Sequence, residues 1–292
     1  MLAYTNISFP STTQVMVQPK SRHDENFPVG SWLVAPKLRP VVHAYYAFAR
    51  RADDIADSPD LEPGVKIRRL DAMDESLRTA GTAISGDRED LEVASILREH
   101  LAEMNISHTV ASDLLVAFRR DAVNDRYRTW GELMDYCRFS ACPVGRFLLG
   151  LHGETLGTVE SDALCSALQV LNHIQDAKAD YLSLNRVYVP LDWLRTDCGE
   201  VEDLGAERSS PAVRQTIQRM NDYTGALIDR AAPLSVRVTS RRLAAEVAVC
   251  LVLARRLNCK LAASDPIESP VKLGRPDWLF AGLTGLTRLV RP

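Results

Sequence analysis

The 292-residue sequence predicts an all-α protein, a single helical bundle closed around a central cavity. Three observations carry this prediction. Apolar residues recur at helical spacing from Val41 to Ala262, alternating strand-type runs are scarce, and two polar stripes interrupt otherwise apolar helices as if facing an enclosed space.

The elements follow in order. Residues 1–22 are polar and aperiodic and are expected to form a flexible N-terminal arm, with one domain over 23–292. Helices are predicted over 41–57, 63–80, 88–104, 107–121, 129–150, 159–184, 211–232 and 241–262. Pro63 near a helix start and Gly81 just past its end follow the usual asymmetry of helix termini. Turn-forming residues at 62–64, 85–87 and 264–270 mark loops. The tail from Trp278 to Leu289 reads as an amphipathic segment, expected to pack on the bundle, with peripheral membrane contact as the alternative.

Composition limits the function classes. A hydrophobic content of 46% supports a large core, and a net charge of -3 gives no general basic footprint for nucleic acid. No stretch has the length of a membrane span, and the N-terminus lacks the basic region and apolar run of a signal peptide. The six cysteines show neither C-x-x-C pairs nor zinc-type spacing, so buried free thiols in a reducing compartment are expected. A cytoplasmic location follows, peripheral at the inner face of the membrane if the tail meets lipid.

The chemistry lies in the two stripes. Asp53 and Asp57 are four apart, as are Asn172, Asp176 and Asp180, so each set forms a ladder of oxygen ligands on one helix face. One such aspartate pair is most often a solvated surface. Each ladder, however, extends further back: Tyr46, Arg50, Asp53 and Asp57 share one stripe, and Gln169, Asn172, Asp176 and Asp180 the other. Like charges one turn apart cost a helix a few tenths of a kcal/mol per pair, which a counter-ion offsets. Hard divalent cations are bound by carboxylate and amide oxygens and shared with substrate phosphates; magnesium is the expected ion, with manganese as a substitute. Asp121 and Asp125 form a third, weaker pair. His173 has no metal-ligand partner at useful spacing and reads as a hydrogen-bonded structural residue.

These residues resemble a known family. Tyr46 to Arg50 followed by Asp53-Asp54-Ile55-Ala56-Asp57 is similar to the first aspartate-rich motif of the squalene and phytoene synthases, and Gln169 to Asp180 followed by Arg186-Val187-Tyr188 is similar to the second. Between them, Asp121 to Tyr127 and Tyr136-Cys137 to Val144-Gly145 sit where that family keeps its Asp, Arg-Tyr and Tyr-Cys elements. The resemblance spans roughly residues 23–280. Glu25 to Ser31, Cys137 to Arg146 and Leu171 to Asp176 are most like the bacterial hydroxysqualene synthase branch of hopanoid biosynthesis. Two departures stand out: Gln175 where the family has Arg, and Phe139-Ser140 where it has small and valine residues.

The resemblance implies an isoprenoid-synthase-like bundle and a carbon-oxygen lyase that takes presqualene diphosphate and water to hydroxysqualene and diphosphate. The alternatives within the fold are synthesis of presqualene diphosphate, dehydrosqualene or phytoene from two prenyl diphosphates, and a non-catalytic assembly factor. It implies Asp53, Asp57, Asp176, Asp180 and Tyr136 as catalytic, with Asn172 joining the four aspartates as metal ligands. Tyr46, Arg50, Arg126, Lys178, Arg186 and Tyr188 would meet the diphosphate, while Phe27, Phe139, Ser140, Val144, Leu148 and Gln169 would line the cavity. Arg suits phosphate through its planar fork, Lys as a point charge. No G-x-G-x-x-G fingerprint accompanies a strand and helix, so no NADPH is expected. Other enzymes of the squalene and hopanoid pathway are the expected partners.

Overall fold

The computed structural model describes residues 34–80 and 84–290. The arm, the 25–31 stretch with Phe27, and Gly81 lie outside the described residues.

Twelve α-helices form the described chain: α1 (Arg39–Asp57), α2 (Pro63–Arg78), α3 (Arg88–Glu103), α4 (Thr109–Asp121), α5 (Trp130–Ser140), α6 (Cys142–Leu151), α7 (Thr158–Leu184), α8 (Leu191–Thr196), α9 (Pro211–Ala231), α10 (Leu234–Arg237), α11 (Arg241–Ala263) and α12 (Arg275–Val290). The one β-type pairing among the described residues is an isolated parallel bridge between Arg126 and Val187. The starts are set locally. Asp87, Thr129, Ser210 and Ser240 each cap the helix that follows by accepting backbone N–H bonds at its first turn.

Two apolar cores share the molecule. One gathers α1 to α4 with Phe147 and Leu151 of α6, and the other gathers α5, α7, α9 and α11. On α1, Val41, Tyr45, Phe48, Ala52 and Ile55 are all buried, so the apolar strip beside the first ladder is core as its spacing predicts. Tyr45 stacks on Phe147 at 4.0 Å, locking α1 to α6. Leu148 touches both cores and marks the seam between them.

α1, α2 and α3 are also joined by charge. Asp90 is fully buried, and its carboxylate accepts from Nε of Arg51 at 2.6 Å and Nε of Arg69 at 2.7 Å.

Three expectations change. The helix predicted over 129–150 is two helices, because Pro143 has no N–H to give Phe139 and its ring would strike that carbonyl; the chain breaks at Ala141, with φ -127. The tail forms a further helix, α12, which packs on α11 as expected through Ala281, Gly285 and Leu289, but Leu279, Leu283, Leu286 and Val290 are exposed rather than core-facing. All six cysteines are free, but Cys198 and Cys259 are exposed rather than buried.

Candidate active site

The left-handed residue Asn185, φ 51, ends α7 and turns the chain back, so that residues 186–188 run beside the segment after α4. Val187 N donates to Asp125 O at 2.8 Å. This brings the ends of α1, α4 and α7 together around one buried guanidinium. Arg186 donates to the Asp57 carboxylate, to Ala56 O at 3.1 Å and to Asp121 O at 3.0 Å, and its own N–H reaches Asp180 O at 3.1 Å. Arg186 therefore ties the end of the first ladder, at Asp57, to the turn that closes α7.

Asp121 is the second node. Its carboxylate accepts from the hydroxyls of Tyr136 at 2.7 Å and Tyr188 at 3.3 Å. Tyr188 stacks on His173 with ring centres 3.7 Å apart, and the Gln169 amide donates to His173 Nε2 at 3.2 Å. Hydrogen bonds link Asp57 through Arg186 and Asp121 to the two tyrosines, and the Tyr188–His173 stack joins them to Gln169.

The site is electrostatically loaded. Burial and the neighbouring Asp57 raise the Asp53 carboxyl from 3.8 to about 7, against the opposing pull of Arg50. The side chain still meets solvent over 38% of its area, which leaves it open to an incoming ligand. Burial raises Asp121 to about 6, although Arg186 opposes it. Lys66 donates to Ala56 O at 2.9 Å, and its pKa is lowered by burial and by Arg186.

The structure brings some of the expected residues together and leaves others apart. Arg50 lies on the first ladder, paired with Asp53 at 3.1 Å and Asp54 at 2.7 Å. Tyr46 is half-buried one turn earlier, and Asn172, Asp176 and Asp180 are half-buried along α7. Arg126 is spent on the α7 turn, donating to the carbonyl and side-chain oxygens of Asn185. Lys178 is not brought to the others: two residues past Asp176 puts it on the far side of the helix, where it donates to Ile267 O at 3.1 Å. Gln175, the departure from the family's Arg, donates to Val271 O at 2.5 Å, so both side chains fasten the loop between α11 and α12.

The expected cavity walls also divide. Phe139 has the guanidiniums of Arg120 and Arg138 within 4.9 and 5.2 Å of its ring centre and is not a purely apolar wall. Val144 is 38% exposed and belongs to no packed core. Ser140, beside the break at Ala141, has a buried Oγ with no hydrogen-bond partner. A separate cleft of 550 Å³ between α9 and the end of α11, lined by Arg214, Gln218 and Asp265, contains none of the expected site residues.

A metal would need help from its substrate here. Among the described residues no three His, Cys, Asp or Glu side chains converge on one ion position. That fits magnesium, which takes one or two carboxylates and completes its shell with phosphate oxygens and water. Asp53 and Asp57, one turn apart on α1 with both carboxyls part-exposed, are donors of the kind such an ion takes.

A sequence profile described as squalene/phytoene synthase matches residues 20–277. The chain belongs to the squalene/phytoene synthase family. Among the family's relatives, a protein of Rhodopseudomonas palustris named hydroxysqualene synthase is 40% identical over 92% of this chain and 90% of its own, and one of the same name from Zymomonas mobilis is 39% identical over 90% and 88%. The crystal structure of a squalene synthase from Alicyclobacillus acidocaldarius superposes with a TM-score of 0.69 at 34% identity, covering 79% of this chain and 85% of that one. The all-α architecture is that of squalene/phytoene synthases. One contributor escapes sequence reasoning, Lys66, which sits on α2 outside any motif; Asp121, signalled by a weak i, i+4 pair and by the family's Asp element, has a more central place than either signal gives it.

Proposed function

We propose that this enzyme converts presqualene diphosphate and water to hydroxysqualene and diphosphate, acting as a carbon-oxygen lyase on a prenyl diphosphate. The observation that carries this reading is the Asp57–Arg186–Asp121 clamp between two oxygen ladders. It gathers cation-binding carboxylates and a buried guanidinium where a departing diphosphate needs both. Relatives named hydroxysqualene synthase, similar over nearly their whole length, support the choice of reaction.

Asp53 and Asp57 from one side, and Asn172, Asp176 and Asp180 from the other, would hold magnesium or manganese; when bound, the ions neutralise charge on the leaving oxygens. Arg50 and Arg186 would donate to the diphosphate, Arg186 in exchange for its bond to Asp57 and Tyr188 in exchange for its bond to Asp121, with Tyr46 able to donate through its hydroxyl. Lys66 adds positive charge beside Asp57. Tyr136 is held by its bond to Asp121, which fixes its ring against Tyr127 and Tyr188. An aromatic wall of this kind stabilises a carbocation through its π face while offering no nucleophile. Ser140 Oγ, buried and without a partner, is the group we assign to hold the attacking water.

The test supplies presqualene diphosphate and, separately, two equivalents of a shorter prenyl diphosphate, with magnesium and with NADPH either omitted or added, and identifies products by mass spectrometry. Hydroxysqualene from presqualene diphosphate alone is the expected result. Product only from the shorter diphosphate would make the enzyme a head-to-head synthase, product only with NADPH a reductive one, and none under any condition a non-catalytic assembly factor. The substrate and product chemistry place other enzymes of squalene and hopanoid biosynthesis before and after it.

A further inference from the structure

α12 is built inside out relative to an ordinary surface helix. Its inner face is narrow: Ala281 and Gly285 pack on Ala245, Val249 and Leu253 of α11, so closely that a Cβ on Gly285 would fall 2.7 Å from Val249. Asp277 pins the start of the helix to Arg256 at 2.9 Å and Lys260 at 3.3 Å. The outer face carries Leu279, Leu283, Leu286 and Val290, which fall within about 60° of arc at helical spacing. All four are exposed, and Trp278 and Phe280 flank them, also exposed. Elsewhere among the described residues, exposed large apolar side chains occur singly or in small groups, which is ordinary. Six on one helix are not.

Charge identifies what this face meets. Residues 271–292 contain Lys272, Arg275, Arg288 and Arg291 against one acid, Asp277, in a chain whose net charge is -3. Asp277 is buried and already paired. Lys272 and Arg275 are exposed at the N-terminal end of the apolar strip, and Arg288 is exposed across the helix near its C-terminal end. A strip of leucines with aromatic edges, exposed cations at its N-terminal end and a net positive segment around it matches an anionic bilayer surface, into which an apolar helix face sinks while Lys and Arg stay at the headgroups. A second copy of the chain would set one net-positive segment against another. A stable protein interface also needs roughly 20–30 residues a side, more than one 16-residue helix offers.

We infer that the outer face of α12 docks this protein, peripherally and reversibly, on an anionic lipid bilayer. No helix among the described residues is long and apolar enough to cross one. The inference does not depend on which prenyl diphosphate is the substrate.

The test is co-sedimentation of the full chain with vesicles of phosphatidylethanolamine and phosphatidylglycerol, and with vesicles of phosphatidylcholine alone, at low and high salt. Leu283→Ser with Leu286→Ser removes the centre of the strip at exposed positions, and Lys272→Glu with Arg275→Glu reverses the charge at its N-terminal end; circular dichroism checks both folds. Binding to the anionic vesicles is expected, weakened by salt, lowered about a hundredfold in the leucine variant and reduced in the charge-reversed variant. No pelleting of the wild-type chain, or unchanged pelleting of the folded leucine variant, would overturn the inference. So would sedimentation analysis showing a dimer that the leucine variant dissociates, because the face would then belong to a second copy. A chain that binds only after residues 1–33 are removed would overturn it as well, the face being covered by the protein's own arm.

Discussion

Arg186 is a single side chain on which three helix ends depend, and its environment shows what each charged neighbour does. Asp53 and Asp121 are carboxyls held above their ordinary range, so in the folded protein they keep protons that the unfolded chain has lost. The sign follows from linkage: a carboxyl raised on folding favours the folded state below its unfolded value of 3.8, and this contribution is lost as pH rises through the folded value of about 7 for Asp53. Without divalent cation, thermal stability should therefore fall as pH rises across that window, and Asp53→Asn should flatten the fall. A steeper decline in the variant would contradict the assignment. For turnover the same substitution acts in the opposite sense. Asp53→Asn or Asp176→Asn should lower the rate by about a hundredfold or more with helical circular dichroism unchanged, since each removes a charge needed by the leaving diphosphate. Near-wild-type rates would return the ladders to the status of a solvated surface. Ser140 is tested by product rather than rate: in oxygen-18 water the alcohol should carry label, and Ser140→Ala should shift product from alcohol towards eliminated hydrocarbon. Unlabelled alcohol would exclude solvent capture, and an unchanged ratio would clear Ser140 alone.

At the scale of elements, the sequence was legible wherever side-chain period and capping agreed. α1, α9 and α11 start and end within two residues of their predicted bounds because Pro211, Ser240 and the apolar strip of α1 all speak for the same register. The break between α5 and α6 was written in Pro143, yet the apolar run around it masked the signal. Missing altogether was the joint between α1, α2 and α3, since nothing in sequence spacing links Arg51, Arg69 and Asp90. Its weight can be measured. Asp90→Ala removes the buried carboxylate that Arg51 and Arg69 share, leaving them only Asp87 and Glu89 at the surface, and should destabilise the fold by about 3 kcal/mol in denaturant titration, more than loss of an exposed pair. A loss under half a kcal/mol would mean that water reaches the joint and screens it.

At the scale of the whole molecule, the ladders and the family resemblance pointed to the architecture, while the details that decide the site came from chain reversal at Asn185, which no pattern announces. The same holds for Lys178 and Gln175. Both sit inside a ligand-like motif, and only three-dimensional phase around α7 shows them turned to the loop that leads into α12. α7 thus serves two clients, the reacting groups on one side and the chain's final helix on the other. The contact between Arg186 and Asp57 has a further consequence. In the resting protein each is the other's ligand, so neither a cation nor a diphosphate arrives at an unengaged partner. A diphosphate that draws Arg186 away leaves Asp57 ready for a cation, and a cation on Asp57 releases Arg186 towards the diphosphate. The two should therefore bind with positive heterotropic cooperativity, each raising the other's affinity by the same factor, so that neither acts as a strong ligand until both are present.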